Sequence, residues 1–119
     1  MSVGREGLDY LEDIQTAMRK IGAFIEGATA ASFRDDEKTV YAVIHAIEVV
    51  GEAAKHVPPD VRRRHPEVPW KKMAGMRDHL IHGYFGLDVE IVWETASRLI
   101  PDLEPVMLRV IESEKARAS

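Results

Sequence analysis

Apolar side chains recur at three- and four-residue steps along most of this chain, a spacing that suits helices and few other structures. Leu8, Leu11, Ile14, Met18, Ile21 and Ile25 share one helical face, with Glu12, Asp13, Gln15, Arg19 and Lys20 opposite. The pattern predicts a first helix from about Glu6 to Glu26, ended by Gly27. Ser32 is placed to cap a second helix, because Asp35, Asp36 and Glu37 suit the positive end of a helix dipole. That helix turns Val40, Val43, Ile44, Ile47, Val50 and Ala54 inward and runs to about His56, where Pro58 and Pro59 stop it. With further prolines at 66 and 69, the stretch before Trp70 reads as a connector holding at most one short helical turn around residues 60–63.

The second half repeats the pattern. Trp70 to about Tyr84 is expected to form a helix, with Met73, Met76 or Arg77, Leu80, Ile81 and Tyr84 along one side; Gly83 and Gly86 then loosen the backbone. Asp88 caps a helix carrying Val89, Val92, Trp93, Ala96, Leu99 and Ile100. Pro101 either kinks that helix or restarts it, and Leu103, Val106, Met107, Val110 and Ile111 continue the stripe. Glu112 to Ser119 is a polar tail expected to fray. No segment alternates with period two over a convincing length. The predicted fold is all-α, an up-and-down bundle of four to five helices in one domain spanning residues 1–119.

Composition narrows the chemistry. The absence of cysteine excludes disulfides, thiolate nucleophiles and Cys-based zinc sites. No apolar run approaches the roughly 20 residues of a membrane span, and the first six residues hold no signal-peptide core, so the expectation is a cytoplasmic protein without a membrane partner. The net charge of -4 argues mildly against a dedicated nucleic-acid binder. The charge is unevenly placed, however. From Arg62 to Tyr84, six bases (Arg62, Arg63, Arg64, Lys71, Lys72, Arg77) face two acids (Glu67, Asp78), a local +4 that leaves -8 elsewhere. Such a segment suits either a solvated charged surface or a polyanion contact of limited footprint; for the second, Lys71, Lys72 and His79 are the binding candidates, and RNA the polyanion if the chemistry of residues 77–84 holds.

The stretch Arg77-Asp78-His79-Leu80-Ile81-His82-Gly83-Tyr84 is where chemistry concentrates. On an ideal helix Asp78 and His82 lie about 40° apart and Arg77 and Tyr84 about 20°, but Arg77 and His82 are separated by about 140°. Unwinding at Gly83, or a second copy of the helix across a dimer axis, would bring the last pair together. Histidine takes or gives a proton near neutrality, and the arginine fork matches phosphate oxygens. With the RNA 2′-hydroxyl as internal nucleophile, these two groups are nearly sufficient for phosphodiester cleavage without a metal. Asp78 is positioned to hydrogen-bond His82 and fix its tautomer. His79 and His82 sit three apart, but no His-Glu-x-x-His element or third ligand accompanies them, so neither a metal site nor a cofactor is expected. Met18, Met73, Met76 and Met107 read as core filler.

The same stretch resembles the Arg-x4-His-x-Tyr motif of HepT-like proteins in the HEPN superfamily. Tyr10–Ile14, Gly51–Lys55, Pro66–Trp70 and Tyr84–Asp88 with Val92-Trp93 resemble that family's landmarks in family order, covering about Leu8 to Leu108. The resemblance implies a HEPN-like helical homodimer whose two Arg/His motifs line one cleft across the interface, which would resolve the 140° separation. It implies a metal-independent ribonuclease toxin of a toxin–antitoxin pair, with Arg77 and His82 catalytic and Asp78 supporting. It further implies a minimal nucleotidyltransferase antitoxin that silences the toxin by transferring AMP from ATP onto Tyr84. The alternative function is a non-catalytic helical module that holds nucleotide or partners a nucleotidyltransferase.

Overall fold

A computed structural model describes residues 6–80 and 86–118. Helix α1 (Gly7–Phe24) begins where the Glu6 backbone N–H donates to the Asp9 carboxylate at 3.0 Å, and it buries Leu11, Ile14, Ala17, Met18 and Ile21. Its predicted extent is right to within two residues at the end, and Gly27 takes the left-handed φ of 78° that turns the chain away.

The next start signal resolves differently from the expectation. Ser32 does not cap a long helix. It lies inside a short helix, α2 (Ala30–Arg34), and exchanges hydrogen bonds with Thr29, the actual cap. The long helix α3 (Glu37–His56) is capped by Asp36, which accepts from the Thr39 N–H at 3.1 Å. The break between them has a packing reason: it lets Phe33 enter the core at 1% exposure, with its ring 5.2 Å from that of Trp93.

Beyond Pro58 the connector forms α4 (Pro59–Arg64), the short helix foreseen. The helix expected over Trp70 to Tyr84 is instead two pieces in the described region, α5 (Trp70–Ala74) and α6 (Met76–Leu80), divided at Gly75. Asp88 caps α7 (Val89–Glu94), which passes through a π-helical turn, Thr95–Leu99, into α8 (Ile100–Ala118). The chain therefore stays helical through Pro101 and is not restarted by it. Proline has no N–H to offer the carbonyl a turn behind it, and the chain widens just before it, with the Ile100 N–H reaching back to the Thr95 carbonyl.

Side-chain pairs give the directions. Gln15 donates to Glu104 at 3.1 Å, and Glu12 meets Lys115 at 3.6 Å, so α1 and α8 run antiparallel. Tyr10 stacks on His56 while Phe24 lies by Ala42, so α1 is antiparallel to α3 as well. The three long helices thus share a core that contains Ile14, Met18, Val43, Ile47, Val50, Ile100 and Met107, while α4 to α6 carry the chain back along α3. The described residues form an all-α, HEPN-like bundle; within them the only extended feature is an isolated bridge at Leu87. No helix among them is long and apolar enough to cross a membrane.

The polar tail does not fray as expected: α8 stays helical through Ala118. The cause is Glu114. Its side chain is 9% exposed and accepts from Arg64 Nη2 at 2.7 Å, from Arg64 Nε at 3.1 Å and from His65 Nε2 at 2.6 Å. The fork of Arg64 holds the Glu114 carboxyl down at about 2, against an ordinary 4.5, despite the opposing cost of burial. Because the folded value lies below the unfolded one, this contribution to stability is complete above about pH 4.5 and fades as the pH falls toward 2. Glu114→Gln is expected to cost about 2 kcal/mol by leaving Arg64 and His65 without their anion. Thermal unfolding at neutral pH checks this, and the gap between the two proteins should close on acidification.

Candidate active site

Of the candidate residues, Arg77, Asp78 and His79 sit on α6, and α3 sets its position. Gly51 of α3 is buried against α5: a Cβ there would lie 3.2 Å from the Met73 carbonyl oxygen and 3.4 Å from that of Ala74. A side chain there would press on the Met73 carbonyl, so glycine suits this close approach of the two backbones. Gly75 interrupts the helix, its carbonyl accepting from the Asp78 N–H at 3.0 Å, and α6 begins at Met76. Met76 and Leu80, at 2% and 1% exposure, anchor α6 in the core, and their burial turns Arg77, Asp78 and His79 outward. The Asp88 N–H donates to the Leu80 carbonyl at 2.8 Å, while the Asp88 carboxylate accepts from the N–H groups of Glu90 and Ile91. One residue thus caps α7 and ties it to the end of α6.

Arg77 is held from the neighbouring long helix. Its Nε donates to Glu48 Oε2 at 2.8 Å, and that hydrogen bond with its accompanying charge raises the arginine further above its already high value. The guanidinium is therefore permanently cationic and oriented. Its Nη edge makes no hydrogen bond among the described residues, and about half of the side chain is exposed. This is the edge that matches phosphate oxygens. Asp78 and His79 make no side-chain hydrogen bonds among the described residues. His82 and Tyr84 lie outside the described residues, as does the Asp78–His82 contact expected from their spacing.

The two lysines expected to act together diverge. Lys71 lines a cleft with Arg62, Arg63 and Trp70, whereas Lys72 faces a different one formed by Glu94, Arg98 and Asp102. Successive helical residues point about 100° apart, so neighbours in sequence need not share a surface. Arg64, counted among the local bases, is spent on Glu114 and Asp60.

With this geometry in view, comparison with known proteins is decisive. The family model described as "Ribonuclease HepT-like" matches residues 14–110. The chain belongs to the HepT-like ribonuclease family. A relative from Thermococcus cleftensis named "Probable ribonuclease HepT" is 49% identical over 100 residues, covering 84% of this chain and 91% of the relative. Two relatives carry the name "Putative RNase". One, from Caldanaerobacter subterraneus subsp. tengcongensis, is 39% identical over 106 residues, covering 89% and 95%. The other, from Methanocaldococcus jannaschii, is 42% identical over 103 residues, covering 87% and 89%. No solved structure matches the chain.

Within this HepT-like frame, Glu48 is the residue that sequence reasoning overlooked. It lies 29 residues before Arg77, and nothing local links them. The available signal was an isolated acid within Ala46-Ile47-Glu48-Val49-Val50, a run otherwise apolar. The position of Arg77 also depends on Gly51, one turn further along α3. Gly51→Val is expected to destabilise the fold by about 2 kcal/mol, since two backbone carbonyls obstruct the side chain. In Gly51→Ala a helix-propensity gain of up to about 1 kcal/mol offsets part of a smaller clash. Urea unfolding of both checks the order, and a Val variant as stable as the parent would show that α5 has room to move.

Proposed function

We propose that the chain is a metal-independent endoribonuclease of the HEPN type, acting as the toxin of a toxin–antitoxin pair and working as a homodimer. The observation that carries this reading is the Arg77 guanidinium, exposed on α6 and oriented through Nε by Glu48 with its Nη edge open, in a chain of a ribonuclease family. In the proposed reaction the RNA 2′-oxygen attacks the adjacent phosphorus as His82 accepts its proton. The bond to the 5′-oxygen breaks, that oxygen leaves with a proton returned by a histidine, and a 2′,3′-cyclic phosphate remains. Arg77 binds the phosphate and stabilises the negative charge that grows on its oxygens. Asp78 supports the histidine in this role.

Dimerisation is supported by the outer face of α3. Phe24, at 42% exposure, lines a groove of about 370 Å³ with Ala17, Ala42, His45, Ala46 and Val49, and Tyr41, next to Ala42 in sequence, is 64% exposed. Two copies of α3 crossing antiparallel about His45 would set Lys38 opposite Glu52 and Tyr41 opposite Val49, a self-complementary pairing. The two Glu48 residues would then lie about 9 Å apart along the axis, each bringing its Arg77 towards a shared cleft. Silencing is assigned to a minimal nucleotidyltransferase antitoxin: the Tyr84 oxygen attacks the α-phosphorus of ATP, pyrophosphate leaves, and the added phosphate repels RNA.

Purified protein should cleave RNA in the presence of a chelator, with Arg77→Ala and His82→Ala each slower by about 100-fold or more. Glu48→Ala, which frees the guanidinium without removing it, should lose about 10-fold. Tyr41→Glu should sediment as a monomer and lose activity, and co-expression with the nucleotidyltransferase should add AMP-sized mass to Tyr84. Equal cleavage by the parent, Arg77→Ala and His82→Ala would overturn the reading.

A further inference from the structure

The cleft between α4 and α5 concentrates cations that no structural contact consumes. It measures about 330 Å³ and is lined by Pro59, Arg62, Arg63, Trp70 and Lys71. None of its three cations forms an ion pair among the described residues, and no acid lines it. The acids of this segment are engaged elsewhere: Asp60 pairs with Arg64 at 3.3 Å, and Glu67 lies 3.7 Å from His65. The walls are also fixed. Arg64 and His65 lock the end of α4 to Glu114, and the Trp70 indole N–H donates to the His65 carbonyl at 3.0 Å, pinning the start of α5 to the end of α4.

We infer that this cleft is an RNA-backbone site, in which Arg62, Arg63 and Lys71 bind phosphates of the strand whose scissile bond lies at Arg77. The inference rests on the reading of RNA as substrate and adds a site outside the catalytic motif. Its chemistry favours a polyanionic strand over an acidic protein. A protein interface needs a buried apolar or aromatic centre, yet Trp70 is only 8% exposed, and the exposed large hydrophobics Phe24, Tyr41 and Leu108 do not line this cleft. Two arginine forks and a lysine on an otherwise acidic chain instead make a local polyelectrolyte contact, with the remaining surface repelling RNA and limiting its path.

The test is a salt titration of labelled oligouridine binding to full-length His82→Ala protein, used to prevent cleavage. A second protein adds Arg62→Gln, Arg63→Gln and Lys71→Gln, and a third adds Arg19→Gln, Arg109→Gln and Arg117→Gln, which remove equal charge from α1 and α8. Each phosphate contact to a single strand contributes about 0.7 to the slope of log affinity against log salt. The cleft triple should therefore flatten the slope by about 2 and weaken binding about 100-fold at 0.1 M salt, while the control triple changes neither to that extent. Circular dichroism confirms that all three proteins are folded. Affinity and slope unchanged in the cleft triple would overturn the inference, as would intact RNA binding with loss of polyglutamate binding. Cleavage by the triple on the native His82 background, at the parental rate and affinity, would sink the cleft and leave the ribonuclease reading standing. RNA bound through the cleft by the His82-bearing protein but never cut would do the reverse.

Discussion

The approach of α5 to α3 at Gly51 governs the functional half of the molecule. A side chain at that position would meet two backbone carbonyls, and backbone cannot swing aside as a flexible side chain can. With α5 seated there, Gly75 interrupts the helix, Met76 and Leu80 enter the core and Arg77 emerges beside Glu48, less than one turn before Gly51 on α3. One stretch of α3 therefore fixes both the backbone that carries the arginine and the direction of its guanidinium. The groove residues Ala42, Ala46 and Val49 belong to the same helix, so fold, site and the proposed dimer face share a single element.

A second organising principle is the allocation of charge. Arg64 is committed to a nearly buried carboxylate and holds the end of α8 against the connector. Arg34 and Arg98 pair with exposed acids, at 2.7 and 2.9 Å, contacts that contribute little in water. Arg77 is intermediate: its Nε faces an acid, while its Nη edge remains available. Arg62 and Arg63, adjacent to Arg64 in sequence, have no such partner among the described residues. Three consecutive arginines thus take different roles: Arg64 reaches Glu114 and Asp60, whereas Arg62 and Arg63 line the cleft with Trp70 and Lys71.

The sequence made the helices legible because burial and period coincide there. Leu11, Ile14, Met18 and Ile21 are fully buried at the positions their spacing assigned. The end of α3 at paired prolines, the short α4, the Asp88 cap and the buried methionines were also readable, each from a local rule. What was not legible depended on partners distant in sequence. Ser32 carries a good capping side chain, but the burial of Phe33 against Trp93 decides where the helix breaks. Glu112 to Ser119 looks like solvent-exposed tail until Arg64 and His65, about 50 residues away, claim Glu114. Glu48 could not be assigned to Arg77 for the same reason.

The angular argument over Arg77 and His82 shows what such distant contacts change. A separation of about 140° between Arg77 and His82 presumes that one helix runs unbroken from the first to the second, so that each residue's direction follows from its number. The break at Gly75 lies before that stretch and bears instead on Lys71 and Lys72, whose directions on α5 cannot be extrapolated by helical angle to that of Arg77. Within α6 the burial of Met76 and Leu80 is enough to turn Arg77 outward, and Glu48 then selects its Nε, leaving the phosphate-matching edge exposed. Orientation of the arginine is therefore a property of the α3–α6 contact rather than of the motif. A functional reading based on motif spacing alone would assign to Arg77 an orientation that Gly51, Gly75 and Glu48 actually supply.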